Sequence, residues 1–149
     1  FPRTLRLVPR RLVLGIGCRR GIAQAAITRA VDAALEMAGL DPQAAAVVAT
    51  ISLKAEEPGL LEFCREQGFP LQVYSAEELA AVPGAFTASS FVRSVTGVDN
   101  VCERAAAARG GTLLLDKQAL EDVTVAIALA DPAQWPDSHV FENVREKQE

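Results

Sequence analysis

The reading of the fold turns on the stretch Arg11-Leu-Val-Leu-Gly-Ile-Gly-Cys-Arg-Arg-Gly-Ile22. Its apolar run, Leu12 to Ile16, predicts a buried strand, and Gly15 and Gly17 predict a break into a short turn opening onto a helical pattern from Ile22. A strand, a glycine turn and a helix N-terminus leave backbone N–H groups unpaired at the positive end of a helix dipole, a place suited to an anion. Arg19 and Arg20 add two positive charges there. The glycines stand at Gly15, Gly17 and Gly21, whereas the dinucleotide fingerprint G-x-G-x-x-G would need glycine where Arg20 stands. No acidic residue ends the second strand to hold a ribose, which disfavours NAD. No Gly-Lys-Ser/Thr follows the turn, which excludes a Walker-type loop.

Downstream, Ile22, Ala23, Ala26, Ile27, Ala30, Val31, Ala34, Leu35 and Ala38 recur at helical spacing up to a terminating Gly39. Ala45 to Ile51 reads as a second strand, so the chain opens β-α-β with a parallel pair. Ser52 to Leu60 is a loop with Pro58 at the first position of a helix that stops at Gly68. Leu71 to Tyr74 is a third strand, and Ser75-Ala-Glu-Glu78 is a capping box opening a short helix that Pro83-Gly84 ends. Ala85 to Gly97 is ambiguous. Asn100-Val-Cys-Glu103 is a second capping-box candidate, followed by an alanine-rich stretch and a Gly110-Gly111 stop. Thr112 to Leu115 is a fourth strand and Val123 to Ala130 a fifth. The seven residues between them, Asp116 to Asp122, are too few for a parallel crossover, so the two form an antiparallel hairpin. The expectation is a three-layer α/β/α sandwich with a mixed, mostly parallel sheet of about five strands ending in that hairpin.

The 149 residues, 50% hydrophobic, make one ordinary domain with a real core. A net charge of −4 and a pI near 5.1 argue against a general nucleic-acid partner. Arg3, Arg6, Arg10, Arg11, Arg19 and Arg20 form a basic corner in the first twenty residues. No apolar run is long enough to span a membrane and no signal peptide is visible, so a cytoplasmic protein is expected. Cys18, Cys64 and Cys102 are unpaired by spacing, which fits free thiols in a reducing compartment and no zinc site. Residues 1–11 read as a linker or the tail of a preceding region, 12–130 as the domain, and 131–149 as a polar extension holding the only histidine, His139.

In an α/β sheet, ligands bind at the carboxyl ends of the strands, where the loops Gly15 to Gly21, Ser52 to Gly59, Ser75 to Glu78 and Asp116-Lys117 are expected. Arg19 and Arg20 suit bidentate clamping of carboxylates, or are a solvated surface pair. Lys54 with Glu56 and Glu57 offers a cation and candidate bases, or merely a surface lysine and helix N-terminal acids. Cys18, beside a helix N-terminus and two arginines, is placed for a lowered thiol pKa, yet no histidine in the body can serve as its base; a small buried residue is the alternative. Glu103 is a site carboxylate or a cap, and Lys117 an anion contact or a hairpin decoration. With no histidine outside the tail, a Ser-His-Asp triad, a Cys-His dyad and a His-ligated metal are excluded from the body, so chemistry falls to carboxylates, lysine, arginine, amides or water.

These motifs resemble one family. Gly15-Ile-Gly-Cys-Arg-Arg-Gly21, Lys54-Ala-Glu-Glu-Pro-Gly-Leu60, Ser75-Ala-Glu-Glu-Leu79, Gly97-Val-Asp-Asn-Val-Cys-Glu103 with Ala105-Ala106, and Lys117 with Thr124-Val-Ala-Ile127 are similar to the C-terminal domain of CbiG and the stand-alone CobE of cobalamin biosynthesis. The resemblance implies an α/β/α sandwich and, for CbiG, a cobalt-precorrin-5A hydrolase of the anaerobic pathway that opens a ring lactone and releases acetaldehyde. CobE belongs to the aerobic pathway. A non-catalytic precorrin-binding module is thus the alternative reading, and a nucleotide-binding domain a third. On the family reading, Glu57, Lys54 and Glu103 are catalytic candidates, and Gly15, Gly17, Cys18, Arg19, Arg20, Gly21 and Lys117 receive the precorrin carboxylates. No cofactor is expected, since any cobalt belongs to the substrate. The leader Arg3 to Arg11 resembles the join to a preceding N-terminal region, which would be a partner within the same protein.

Overall fold

The computed structural model describes residues 7–9, 11–82, 101–108, 111–130 and 143–145. Its elements are β1 (Leu7–Pro9), β2 (Leu12–Cys18), α1 (Gln24–Ala38), β3 (Ala45–Ile51), α2 (Pro58–Gln67), β4 (Leu71–Tyr74), α3 (Ala76–Ala80), α4 (Val101–Ala106), β5 (Thr112–Leu120), β6 (Val123–Leu129) and β7 (Asn143–Arg145). Short 3₁₀ turns at Pro42–Ala44 and Ser52–Lys54 precede β3 and follow it. The ambiguous Ala85–Gly97 stretch, the Pro83-Gly84 stop, Asn100, Gly110 and His139 lie outside the described residues.

Five strands form one sheet in the order β4-β3-β2-β6-β5. The pairs β2–β3 and β3–β4 are parallel, and β2–β6 and β5–β6 antiparallel, so only β6 runs against the rest. The hairpin therefore places its second strand beside β2 and leaves its first on the edge. β1 and β7 pair antiparallel as a separate ribbon. Leu12, Leu14 and Ile16 of β2 pack with α1 and α2 residues such as Ile27, Val31, Leu60 and Phe63. Val13 on the opposite face packs with Leu79 of α3 and Val101 and Ala105 of α4. This alternation along one strand produces the three layers.

The start of the chain needs one correction. Gly15 and Gly17 do not form a turn; both lie inside β2, paired with Ala126 and Thr124 of β6. Their role is steric. A Cβ on Gly15 would sit 1.9 Å from the Cys102 carbonyl oxygen and 2.8 Å from the Ala106 Cβ, and one on Gly17 would sit 2.6 Å from Thr124 Oγ1. Glycine in β2, with Ala126 and Ala128 in β6, lets α4 lie directly on the sheet backbone. The turn itself is Arg19 to Ile22, closed by the Ile22 N–H to the Arg19 oxygen at 3.3 Å, with Gly21 at φ +79° in the left-handed region.

The hairpin also departs from expectation. β5 continues through Asp116, Lys117 and Gln118 to Leu120, and the connection is the two-residue turn Glu121-Asp122, both at positive φ (52° and 70°). Two left-handed residues make the tight turn that matches the strand twist. Asp116 and Lys117 thus stand within a strand rather than in a loop at its end. The polar run hid the strand because β5 is a bulged edge strand whose side chains are exposed or half-buried along its length.

Candidate functional site

The carboxyl ends of β2 and β3 are where the sheet opens. Their pairing ends at Gly15↔Ala49, and the next carbonyl, of Ile16, accepts from the fully buried Thr50 hydroxyl at 2.7 Å. Beyond this fork three loops meet on the α1/α2 side: Arg19–Ala23, Ser52–Glu57 and the Glu121-Asp122 turn. Gly59 allows the approach of the first two, since a Cβ there would stand 2.3 Å from the Ile22 oxygen. The Gly21 N–H donates to Glu57 Oε2 at 2.9 Å, and Glu57 is only 8% exposed. The turn amide foreseen for an external anion is thus held by the chain's own carboxylate. Among the described residues none donates to the other Glu57 oxygen.

Positive potential nevertheless converges here. Neither α1 nor α2 has a side-chain cap hydrogen bond at its N-terminus, but the N-cap residue of α2 is Glu57 itself, so the open positive end is that of α1, which has no acidic residue in its first turn. α3, by contrast, closes its N-terminus with the expected capping box, Glu78 N–H to Ser75 Oγ at 3.0 Å and Ser75 N–H to Glu78 Oε1 at 2.7 Å. Arg19 and Arg20 are exposed and Lys54 half-buried. Arg19 Nε donates to Asp122 Oδ2 at 3.0 Å and Arg29 to Glu121 at 2.8 Å. All four side chains are 60% exposed or more, so each pair is worth at most about 1 kcal/mol and yields readily to a stronger anion.

Cys18 ends β2 on this side, half-buried, within the electrostatic reach of Lys54 and Glu57. Burial pushes its thiol up to about 11; Lys54 pulls it partly back and Glu57 adds to the rise. The lowered thiol pKa expected from the neighbouring arginines and helix end is not found, because desolvation outweighs the one lowering influence, that of Lys54. Cys64 is likewise raised to about 11 by burial, and Cys102 to about 12. All three are free thiols.

Glu103 and Lys117 lie across the sheet, on the α4 side. Glu103 is 1% exposed, and its Oε2 accepts the Lys117 backbone N–H at 2.6 Å. Cys102 hydrogen-bonds the Thr124 side chain, and Lys117 lies close enough to draw the thiol pKa down slightly against its burial. The structure therefore brings together Cys18, Arg19, Arg20, Gly21, Lys54 and Glu57 but not Glu103 and Lys117, while Gly15 seats α4 and Gly17 makes room for the Thr124 side chain. The basic corner also divides: Arg11 and Arg19 flank opposite ends of β2, whose seven residues alone span about 20 Å at the strand rise per residue. Sequence patterns assign no site role to Thr50, Gly59, Glu121 or Asp122. Only the acidic pair had a signal, as a two-residue polar break between apolar runs. Among the described residues no group of three His, Cys, Asp or Glu could hold a metal, and no helix is long and apolar enough to cross a membrane.

Fold and site define a three-layer α/β domain whose open edge gathers two arginines, a lysine and the uncapped N-terminus of α1, without a dinucleotide loop. Residues 12–128 match the family model described as cobalamin synthesis G C-terminus, and the chain belongs to that family. It is 34% identical over 126 residues to the cobalt-precorrin-5A hydrolase of Salmonella typhimurium, covering 84% of this chain and 36% of that protein. The CobE protein of a Sinorhizobium species is 32% identical over 121 residues, 78% of this chain and 79% of that one. The chain thus spans about a third of the hydrolase and most of CobE. Among solved structures, that of CobE superposes with a TM-score of 0.76 at 25% identity, covering 85% of this chain and 94% of the other. The cobalamin biosynthesis protein chiG of Agrobacterium tumefaciens gives 0.62 at 33% identity, over 80% and 98%. The chain is accordingly a cobalamin-biosynthesis domain of CbiG/CobE fold.

Proposed function

We propose that this chain is a domain of a cobalt-precorrin-5A hydrolase that holds the substrate's carboxylates at the carboxyl edge of β2 and takes part in opening its lactone. The observation that carries the reading is the convergence of Arg19, Arg20, Lys54 and the uncapped start of α1 on one edge of a chain 34% identical to such a hydrolase. A precorrin carries many acetate and propionate groups, and guanidinium forks with helix N-termini suit carboxylates. Any cobalt enters with the substrate.

In lactone opening a water adds to the lactone carbonyl and the acyl C–O bond breaks, leaving a carboxylate and an alkoxide on the two-carbon unit; as that alkoxide becomes the aldehyde carbonyl its C–C bond to the macrocycle breaks, acetaldehyde leaves, and the ring carbon keeps the electron pair and takes a proton. Glu57 is the candidate base: the Gly21 N–H fixes one oxygen, and the other is left for a water. Arg19, Lys54 and the first-turn amides of α1 are the candidate donors to the developing oxyanion, since the turn amides of Gly21 and Ile22 are engaged within the chain. Cys18, kept protonated at neutral pH by its burial, is given no step in this account. In this account an N-terminal region of the same protein, corresponding to the rest of the hydrolase's length, contributes to the complete site.

A second reading, a precorrin-binding module without chemistry of its own, is favoured by one observation: the chain covers 94% of the CobE structure and a third of the hydrolase. Anaerobic incubation of the chain with cobalt-precorrin-5A, following the visible spectrum and trapping acetaldehyde, separates the two. Acetaldehyde release supports the hydrolase. A spectral shift without acetaldehyde supports the holder, and neither signal overturns both.

A further inference from the structure

We infer that Glu103 is a positioning residue which fixes the β5 bulge and so presents Lys117 to a carboxylate of the bound tetrapyrrole, on the sheet face opposite Arg19 and Arg20. The inference rests on the precorrin-binding reading above. Between Leu115↔Ile127 and Gln118↔Val125 the register advances three residues on β5 and two on β6, so Asp116 and Lys117 together face Ala126. A bulge of this kind takes an amide out of the ladder, and an amide unpaired in the interior is costly. Here the Lys117 N–H turns toward α4 and meets Glu103 Oε2 at 2.6 Å.

The carboxylate cannot drift. α4 is seated on Gly15 so closely that a Cβ there would collide with the Cys102 carbonyl, one residue before Glu103. A side chain needed only for volume at a position 1% exposed would be apolar, because burying a carboxylate is expensive unless strong hydrogen bonds offset it. The cost is explained if the bulge must be held. What the bulge carries is Lys117, a half-buried cation whose influence on Cys102 places its charge on the α4 side. By register Lys117 lies across β6 from Gly15 rather than at the β2 terminus, so the carboxylate it takes is a different one from those held by Arg19 and Arg20.

The test compares Glu103→Gln, Glu103→Ala and Lys117→Met, reading hydrogen exchange of the Lys117 amide and anaerobic titration with cobalt-precorrin-5A. Glu103→Gln keeps an acceptor and should retain amide protection and an affinity within about twofold of wild type. Glu103→Ala should lose the protection and weaken binding about tenfold, as Lys117→Met does, and the double variant should be no weaker than Lys117→Met alone. Additive losses, full affinity in Glu103→Ala, or Glu103→Gln behaving as Glu103→Ala each overturn the assignment. Should Glu103→Ala not fold, the contrast between Glu103→Gln and Lys117→Met decides it: Lys117→Met binding as wild type overturns it. A wild-type chain that does not bind the tetrapyrrole overturns the precorrin reading and the ligand half of this inference, while amide exchange still reports whether Glu103 holds the bulge.

Discussion

On the α1/α2 side of β2, Glu57 holds the amide of Gly21; on the α4 side, Glu103 holds the amide of Lys117. Each is a buried carboxylate at the start of a helix, bonded to backbone of a segment that carries cations. The surroundings differ. The first lies among open loops, with Arg19 and Arg20 exposed and Gly21 free of neighbours within 4 Å of a would-be Cβ. The second lies beneath a helix pressed onto glycine and alanine. One device serves an adaptable edge and a rigid one, and substitutions on the two sides should differ accordingly.

The largest effect is expected at Gly15. Its added Cβ would meet backbone, which cannot rotate away, so Gly15→Ala should cost about 3 kcal/mol or more in chemical denaturation and release α4. Gly21→Ala has open space and only the left-handed φ to bear, about 1 kcal/mol. Equal losses at the two glycines would erase the distinction between the sides.

Thiol reactivity comes next. With Cys18 raised to about 11 from 9, its thiolate fraction at about pH 8 is roughly a hundredfold below that of an unperturbed thiol, and alkylation should slow to match. The linkage has a definite sign. The folded chain holds the proton more tightly than the unfolded one, so the contribution is complete below about pH 9 and is lost as pH rises toward 11. Cys18→Ala should flatten that alkaline decline. Rapid alkylation near neutrality would contradict the burial argument and reopen a nucleophilic role.

Much of this was readable beforehand. The strand, helix and strand from Leu12 to Ile51, the Pro58 start of α2 and the Ser75 box all follow from periodicity and capping, which are local. The antiparallel pairing of the last two strands followed from chain length alone. Gly15 and Gly17 read as a turn because glycine inside a strand and glycine in a turn look alike until the element packed above is known. Lys117 reads as loop because a bulged edge strand lacks the alternation that reveals buried ones. That Glu57 fills the turn's own amide is a contact 36 residues apart in sequence, invisible to any local pattern.

Smaller effects sharpen the contrast. Glu57→Ala strands the Gly21 amide and should cost about 1–2 kcal/mol, with Glu57→Gln recovering most of it while remaining inactive if Glu57 is the base. Asp122→Asn breaks only an exposed pair, so denaturation should register under about 1 kcal/mol, while the freed Arg19 should bind a carboxylate ligand slightly more tightly. Weaker binding instead would make Asp122 a support for Arg19 rather than a competitor.

The central claim, that the edge around Arg19 to Gly21 receives the carboxylates of a precorrin, is tested most directly by anaerobic spectroscopic titration of wild type and Arg19→Ala/Arg20→Ala with cobalt-precorrin-5A at two salt concentrations. The account predicts saturable wild-type binding that weakens with salt, and a loss of at least about tenfold in the double variant with unchanged thermal stability. Binding of equal strength in both proteins would contradict it and move the ligand away from this edge.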